Sequence, residues 1–435
     1  MTDPQNLSSE ARRLAEADMR SLIHPHSTIG SPAVPLVIER GDGALIWDVD
    51  GNEYVDGTCG LWQCAVGHGR AELAEVAAAQ MSKLEFYSSF GDYSNRPAIA
   101  LAERLLEIAP DGIERVFFTN GGSEGIETAL KLARLAHFHA GEEDRSIVIS
   151  RKGAYHGMGG WSLAVTGIDG LRRGYAVSEA EVEFLSRPHE IHAATETTDR
   201  LVAELEERID RIGPERIAAF VGEPALGVGG MVPPPPGYWP RVQEVLRRHQ
   251  ILMVFDEVVT AFGRTGHWFA ADRYEVEPDL IVTAKGISSG YVPMGAVLVG
   301  HRVLELADGA PFFHGFTYNG HPVGAAVALA NLQILERENL LPRARAVGVE
   351  LLQRLKVLER LPYIAEVRGV GLMLGIEFTD HEPVDIQAAA RADGLIVRAT
   401  GKTIVLSPPL VITDEQLDKL VTVLIHQIEA HTPSM

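Results

Sequence analysis

Ile251-Leu-Met-Val-Phe-Asp-Glu-Val258 runs five apolar residues into two carboxylates. An apolar run of this length without polar alternation reads as a strand covered on both faces of a sheet. Asp279-Leu-Ile-Val-Thr-Ala-Lys-Gly286 repeats the pattern and ends on a lysine. Residues 115–119, 146–150, 217–221 and 295–299 read as further buried strands. Helical spacing fills the gaps between them, as in Ile126, Ala129, Leu130 and Ala133, which fall on one face. Strands alternating with helices predict an α/β domain built on a mostly parallel sheet.

After Pro322 the pattern changes. A helix over about 323–338 leads to a second helix, then to short strands near 371–378 and 404–406. An amphipathic helix follows Thr413. This predicts a smaller α+β domain. Residues 44–51 carry a hairpin signal with turn residues at the end, and this segment is placed with that domain. The expected division is an N-terminal segment, 1–65, contributing to the small domain, a large domain over 66–322, and the small domain over 323–435. There is no internal repeat, and Pro233-Pro-Pro-Pro236 reads as an ordered loop.

A chain of 435 residues exceeds one ordinary core, in keeping with two domains. A net charge of −20 disfavours nucleic acid and anionic membranes as partners, since both would repel it. Two cysteines, Cys59 and Cys64, are too few for a disulfide framework or a zinc site. They read as isolated buried thiols in a reducing compartment, and no metal site is expected. Met1-Thr-Asp-Pro-Gln-Asn6 lacks the basic and apolar regions of a signal peptide. No stretch approaches the roughly 18 apolar residues of a membrane span. The expected location is the cytoplasm.

Three motifs carry chemistry. Thr119-Asn-Gly-Gly-Ser-Glu-Gly-Ile-Glu-Thr128 passes from strand to helix. Its glycines allow close backbone approach, and Ser123 can cap the helix or donate to an anion at its positive end. A plain capped junction fits the same residues. So does a nucleophile elbow, because Gly121-Gly-Ser-Glu-Gly125 matches G-x-S-x-G, with Asp256 and then His314 or His321 in the chain order of a serine hydrolase. Asp256 stands at the carboxyl end of its strand, where α/β sheets present ligands, and an ionised carboxylate there is costly unless it meets a cation. Capping a neighbouring helix or pairing with a basic side chain fits the same residue. The apolar run ending in Asp-Glu also resembles Walker B, but Ile396 stands where a P-loop ahead of Gly401-Lys-Thr403 requires glycine. Lys285 ends another buried strand, and a desolvated lysine is the kind that forms Schiff bases. Together the anion cradle, the strand-end aspartate and the strand-end lysine suit pyridoxal phosphate (PLP): phosphate donors, a partner for the ring nitrogen and an amine.

The chain resembles the class III (omega) aminotransferases over nearly its whole length. Phe255-Asp-Glu-Val-Val-Thr-Ala-Phe-Gly-Arg-Thr-Gly266 looks like the family's D-E-V…G-F-G-R-T-G segment. Thr283-Ala-Lys-Gly-Ile-Ser-Ser-Gly290 resembles its lysine segment. Asn120 to Lys131 is similar to N-[SG]-G-S-E-A-x-E-x-A-x-K, with Gly121 and Gly125 where relatives often have Ser and Ala. Gly315-Phe-Thr-Tyr-Asn-Gly-His-Pro322 looks like the form found in omega-amine enzymes.

The resemblance implies PLP fold type I, with the active site shared between subunits of a homodimer or homotetramer. It implies Lys285 as the Schiff-base lysine and Asp256 as partner of the ring nitrogen. Gly122 and Ser123 would hold the phosphate with Thr317 of the other subunit. Tyr155 and Val258 would flank the ring, Glu223 would sit near its hydroxyl, and His156 belongs to the same cofactor set. Arg398 matches an arginine that swings to bind a substrate carboxylate or to admit an apolar group. Trp62 and Phe90 match aromatic pocket positions, and Val228 a position where size limits the substrate. The implied reaction is ping-pong transfer of an amino group from a primary amine or omega-amino acid to an oxoacid such as pyruvate. Aminomutases and decarboxylating members share the lysine and aspartate and are the nearest alternatives.

Overall fold

The computed structural model describes residues 7–178, 181–189 and 195–430. Residues 1–6, expected from their sequence to carry no signal peptide, lie outside them. A first helix, Ser9–Ser21, is capped by Ser8, whose Oγ accepts from the Ala11 N–H at 3.1 Å. A meander follows: β1 (Ile38–Asp42), β2 (Leu45–Asp48) and β3 (Glu53–Asp56). The hairpin expected from the sequence is its second half. Asp48 Oδ1 accepts from the N–H groups of Asp50 and Asn52, and Gly51 supplies the left-handed residue of the turn (φ 82°).

The next seven strands are β4 (Ile113–Thr119), β5 (Ile147–Arg151), β6 (Val182–Leu185), β7 (Ile217–Gly222), β8 (Leu252–Asp256), β9 (Leu280–Thr283) and β10 (Gly295–Gly300). They form one sheet in the order β4-β10-β9-β8-β7-β5-β6. The pairs from β9 through β6 are parallel, and β10 is antiparallel to both neighbours. The mostly parallel sheet expected from the sequence is present, with one reversed strand. Every residue of β7, β8, β9 and β10 is buried, which is why these strands lack polar alternation.

The helix Gly122–His139 covers one face of the sheet, setting Ile126, Ala129, Leu130, Ala133 and Ala136 against Val148, Val221, Val254, Val282 and Val297. Withdrawing a side chain such as Ile126 or Leu130 from water stabilises by about 1.5–3 kcal/mol. On the other face Trp239 meets Phe255 edge-on, ring centroids 4.6 Å apart.

The helices Pro322–Arg337 and Leu340–Leu355 lead into β11 (Ile364–Val370) and β12 (Met373–Phe378). Then come β13 (Leu395–Ile396), β14 (Arg398–Thr400) and β15 (Thr403–Leu406), and the helix Asp414–Ala430 follows. An antiparallel sheet runs β11-β12-β15-β14. β13 instead pairs in parallel with β3, Leu395 opposite Val55, so the N-terminal meander and the C-terminal region share a sheet. Among the described residues no helix is long and apolar enough to cross a membrane.

Gly125 has a packing reason for its departure from alanine. A Cβ placed there meets Val282 Cγ1 at 2.5 Å, so the helix lies closer to β9 than a methyl group allows. Overpacking outweighs the ~1 kcal/mol that alanine gains in helix propensity. Gly125→Ala therefore lowers stability by about 1–2 kcal/mol, and costs less in a Val282→Ala background than in the wild type. Thermal unfolding of the four chains checks this.

Candidate active site

β4, β5, β7, β8 and β9 run in one direction, so their carboxyl ends open on one edge of the sheet, where they are joined by the start of the reversed β10. A cavity of about 410 Å³ lies there. Its lining includes Gly122 and Ser123 after β4, Tyr155 and His156 after β5, and Glu223 and Val228 after β7. Asp256 and Val258 come from the end of β8, Lys285 from the end of β9, and Arg398 and Trp62 from the opposite wall.

The helix beyond β4 has Gly121 at its cap position, which brings no side-chain acceptor, so no side chain caps its first amides where Gly122 and Ser123 line the cavity. Ser123 lies in the first turn rather than at the cap, and its Oγ accepts from the Met158 N–H at 3.2 Å. A Cβ on Gly122 would meet Val258 Cγ2 at 2.8 Å, so this position has no room for a side chain. Glu124 braces the turn by accepting from Asn120 N–H and Nδ2 at 2.8 and 2.9 Å.

Asp256 is 4% exposed. Its Oδ1 accepts from the Val258 N–H at 3.1 Å, and its Oδ2 lies 2.7 Å from His156 Nδ1. His156 Nε2 is buried without a partner among the described residues. Glu223 ties two loops together, its carboxylate accepting from the N–H of Tyr155 (2.9 Å) and of Gly227 (2.7 Å). Burial raises its pKa, with Asp256 adding to the effect and His156 and the two amides opposing it.

Lys285 follows β9 in a left-handed turn (φ 43°) and is partly exposed, toward the cavity it lines. Desolvation lowers the pKa of its amine, against the pull of Asp256 and Glu223. Its Nζ and the Arg398 guanidinium approach the Trp62 ring, at 5.7 and 6.0 Å from the centroid.

The structure thus gathers Trp62, Gly122, Ser123, Tyr155, His156, Glu223, Val228, Asp256, Val258, Lys285 and Arg398 around one cavity. Phe90 and Thr317 are not brought there. Both are exposed on the surface of this single chain, and Phe90 packs on Gly315 in a separate depression. The sequence reading missed His26, at the cavity rim, and the stretch Val292–Met294 before β10. The serine-hydrolase constellation does not assemble. Asp256 is engaged by His156, His314 bonds Thr128 Oγ1, and His321 Nδ1 accepts from the Val323 N–H, so among the described residues neither expected histidine bonds Ser123.

Comparison with known proteins matches residues 27–428 to the family Aminotransferase class-III. The chain is 37% identical over 404 residues to the putrescine–pyruvate aminotransferase of Pseudomonas aeruginosa, covering 89% of each chain. It superposes on an (S)-enantioselective omega-transaminase from Thermomicrobium roseum with a TM-score of 0.93 at 42% identity, covering 97% of this chain and 98% of that one. An omega-transaminase from Pseudomonas jessenii in complex with PMP gives a TM-score of 0.93 at 35% identity, over 96% and 98% of the two chains. The cavity suits the family's cofactor on its own residues. No side chain caps the first helix amides, a buried aspartate lies against His156, and a desolvated lysine amine faces the same space. The chain belongs to the class III aminotransferases and is a PLP-dependent transaminase of fold type I.

Proposed function

We propose that the enzyme transfers the amino group of a primary amine or omega-amino acid to an oxoacid such as pyruvate, by a ping-pong mechanism. The observation that carries this reading is the meeting of Lys285, Asp256 and an open helix start in one cavity walled by Trp62 and Arg398. PLP, when bound, supplies an aldehyde that takes up the amine and a ring that draws electrons from the substrate's α-carbon. In the proposal the amides of Gly122 and Ser123 bind the phosphate. Asp256, oriented by His156, keeps a proton on the ring nitrogen. Glu223 would serve the ring hydroxyl, and Tyr155 and Val258 would bind the ring faces.

Lys285 holds the cofactor and, once displaced, moves a proton to and from the substrate carbon through Nζ. Its lowered pKa supports this role, because a base must be neutral to accept a proton. Arg398 binds the oxoacid carboxylate and shares its wall with Trp62, while Val228 limits substrate bulk. The same proposal makes the protein a cytoplasmic homodimer or homotetramer, in which a second subunit supplies Thr317 and Phe90. Their exposure in the single chain supports it. It also keeps the domain limits at 65 and 322, with the first segment joined to the small domain through β3 and β13.

Three outcomes test the proposal. Purified protein shows an absorbance band of bound cofactor that bleaches with 1-phenylethylamine or β-alanine, and borohydride leaves the reduced cofactor on Lys285 by mass spectrometry. No band after incubation with PLP, or an adduct elsewhere, refutes it; turnover without an oxoacid would point to an aminomutase or decarboxylase. Asp256→Asn retains the cofactor but loses roughly 10²–10³-fold in kcat, the scale of removing one preorganised electrostatic partner. Arg398→Ala raises the KM for pyruvate, by roughly tenfold for a lost charge-assisted bond, while the half-reaction with 1-phenylethylamine keeps its rate. Equal losses with both substrates would remove Arg398 from carboxylate binding.

A further inference from the structure

Cys59 and Cys64, expected as isolated thiols, are neighbours. A short irregular turn, Cys59–Trp62, brings them together: the N–H groups of Gln63 and Cys64 donate to the Cys59 carbonyl at 2.9 and 3.2 Å. The Gly67 N–H in turn donates to the Cys64 carbonyl at 2.9 Å, which folds the chain back so that the two cysteines influence each other's charge. The turn holds Cys59 and Trp62 at φ 55° and 62°, a conformation costly for residues with a Cβ.

Around Cys64 the groups are ordered as in an activated thiol. His68, four residues on, acts on the charge of its sulfur, and His68 Nε2 lies 2.9 Å from Asp56 Oδ2. Asp56 is fixed in turn by the N–H groups of Thr58 (3.0 Å) and Gly60 (2.6 Å). Cys59 is fully buried, its sulfur 3.2 Å from Arg264 Nη2, whereas Cys64 is partly exposed. Glycines flank the Cys64 sulfur, for a Cβ on Gly60 or Gly290 would meet it at 3.5 or 3.7 Å. Gly290 and residues 61–63 line the cavity of the active site.

The hydrogen bond from Cys59, and after it the one from His68, bring the Cys64 pKa down to about 6 despite burial. Burial opposes protonation of His68, yet its bonds to Asp56 and Cys64 lift its pKa to about 10. Burial holds Cys59 well above the usual thiol range. These directions favour the thiolate on Cys64, the proton on His68 and the protonated thiol on Cys59.

We infer that Cys64 and Cys59 form a peroxide-oxidisable pair, with Cys64 attacking and Cys59 resolving, whose disulfide displaces the cavity wall at residues 61–63. In the first step the Cys64 thiolate attacks one oxygen of hydrogen peroxide and the O–O bond breaks. The leaving hydroxide takes a proton from His68 and departs as water. In the second step the Cys59 sulfur attacks the sulfur of the new sulfenic acid and the S–O bond breaks. The leaving hydroxide carries off the Cys59 proton as a second water. Two thiols are oxidised and one peroxide is reduced. Closing the sulfurs to the ~2.05 Å of a disulfide shortens the chord of a strained turn that carries Leu61, Trp62 and Gln63.

The test uses the holoenzyme with hydrogen peroxide as oxidant. Differential alkylation and mass spectrometry should show a Cys59–Cys64 disulfide that dithiothreitol reverses. Displacement of the wall by about 1 Å should lower kcat/KM for 1-phenylethylamine by roughly ten- to a hundredfold, also reversibly. Cys64→Ser should keep its cofactor band and its kinetics through the same treatment. In the reduced wild type, alkylation of Cys64 by iodoacetamide should titrate with a midpoint near 6. At neutral pH it should slow roughly tenfold in His68→Gln, as the thiolate fraction falls toward that of a free cysteine. No disulfide, a disulfide that leaves kcat/KM unchanged, or equal peroxide sensitivity in Cys64→Ser overturns the inference. The disulfide and alkylation readouts do not depend on which amine or oxoacid the enzyme uses.

Discussion

The site depends on placing an amine and two carboxylates at the rim of a sheet where little water reaches them. Lys285, Asp256 and Glu223 would each be unfavourable there alone, since a buried charge lacks the solvation that water gives it. They are tolerable together because each influences the others and because backbone amides take up the remaining lone pairs. Glu223 accepts two such bonds, and Asp256 accepts one beside the His156 ring. The fully buried strands β7, β8 and β9 fix the spacing of the three groups, so the core that stabilises the domain also sets the geometry of the chemistry.

Glu223 has a second consequence. By bonding the amide of Tyr155 on one loop and of Gly227 on the next, a single side chain fixes a cavity wall from the cofactor side to Val228. Loops on a rigid scaffold hold functional groups well only when tethered in this way.

Much of this was legible in the sequence where the signal is local. The runs ending at Asp256 and Lys285 read as buried strands because neither has polar alternation, and the helix after Gly122 shows its apolar face at i, i+3, i+4 and i+7. β6 and β11 were not legible. β11 carries Glu366 and Arg368, which look solvent-facing until Glu377 of β12 is seen to pair with Arg368 at 2.5 Å. The same holds for the site. Strand-end residues declare themselves by position, but His26 reaches the rim from a segment without regular structure, and no spacing rule connects it to β8. The adjacency of Cys59 and Cys64 depends on left-handed residues at 59 and 62 that no propensity would suggest. Phe90 and Thr317 match by resemblance alone, and nothing in one chain's fold brings them to the cavity.

The pairing of β13 with β3 bears on the order in which the protein is made. β3 leaves the ribosome early, and its partner is synthesised only after the whole large sheet has emerged. Arg398 follows β13 directly, so its part of the wall that faces Lys285 is added only then, beside Trp62, which is made early. Closing a loop that long is an entropic cost met once the large core has condensed. A nascent chain thus holds the groups at the ends of β4 to β9 in place first, and adds Arg398 across the cavity from Lys285 last.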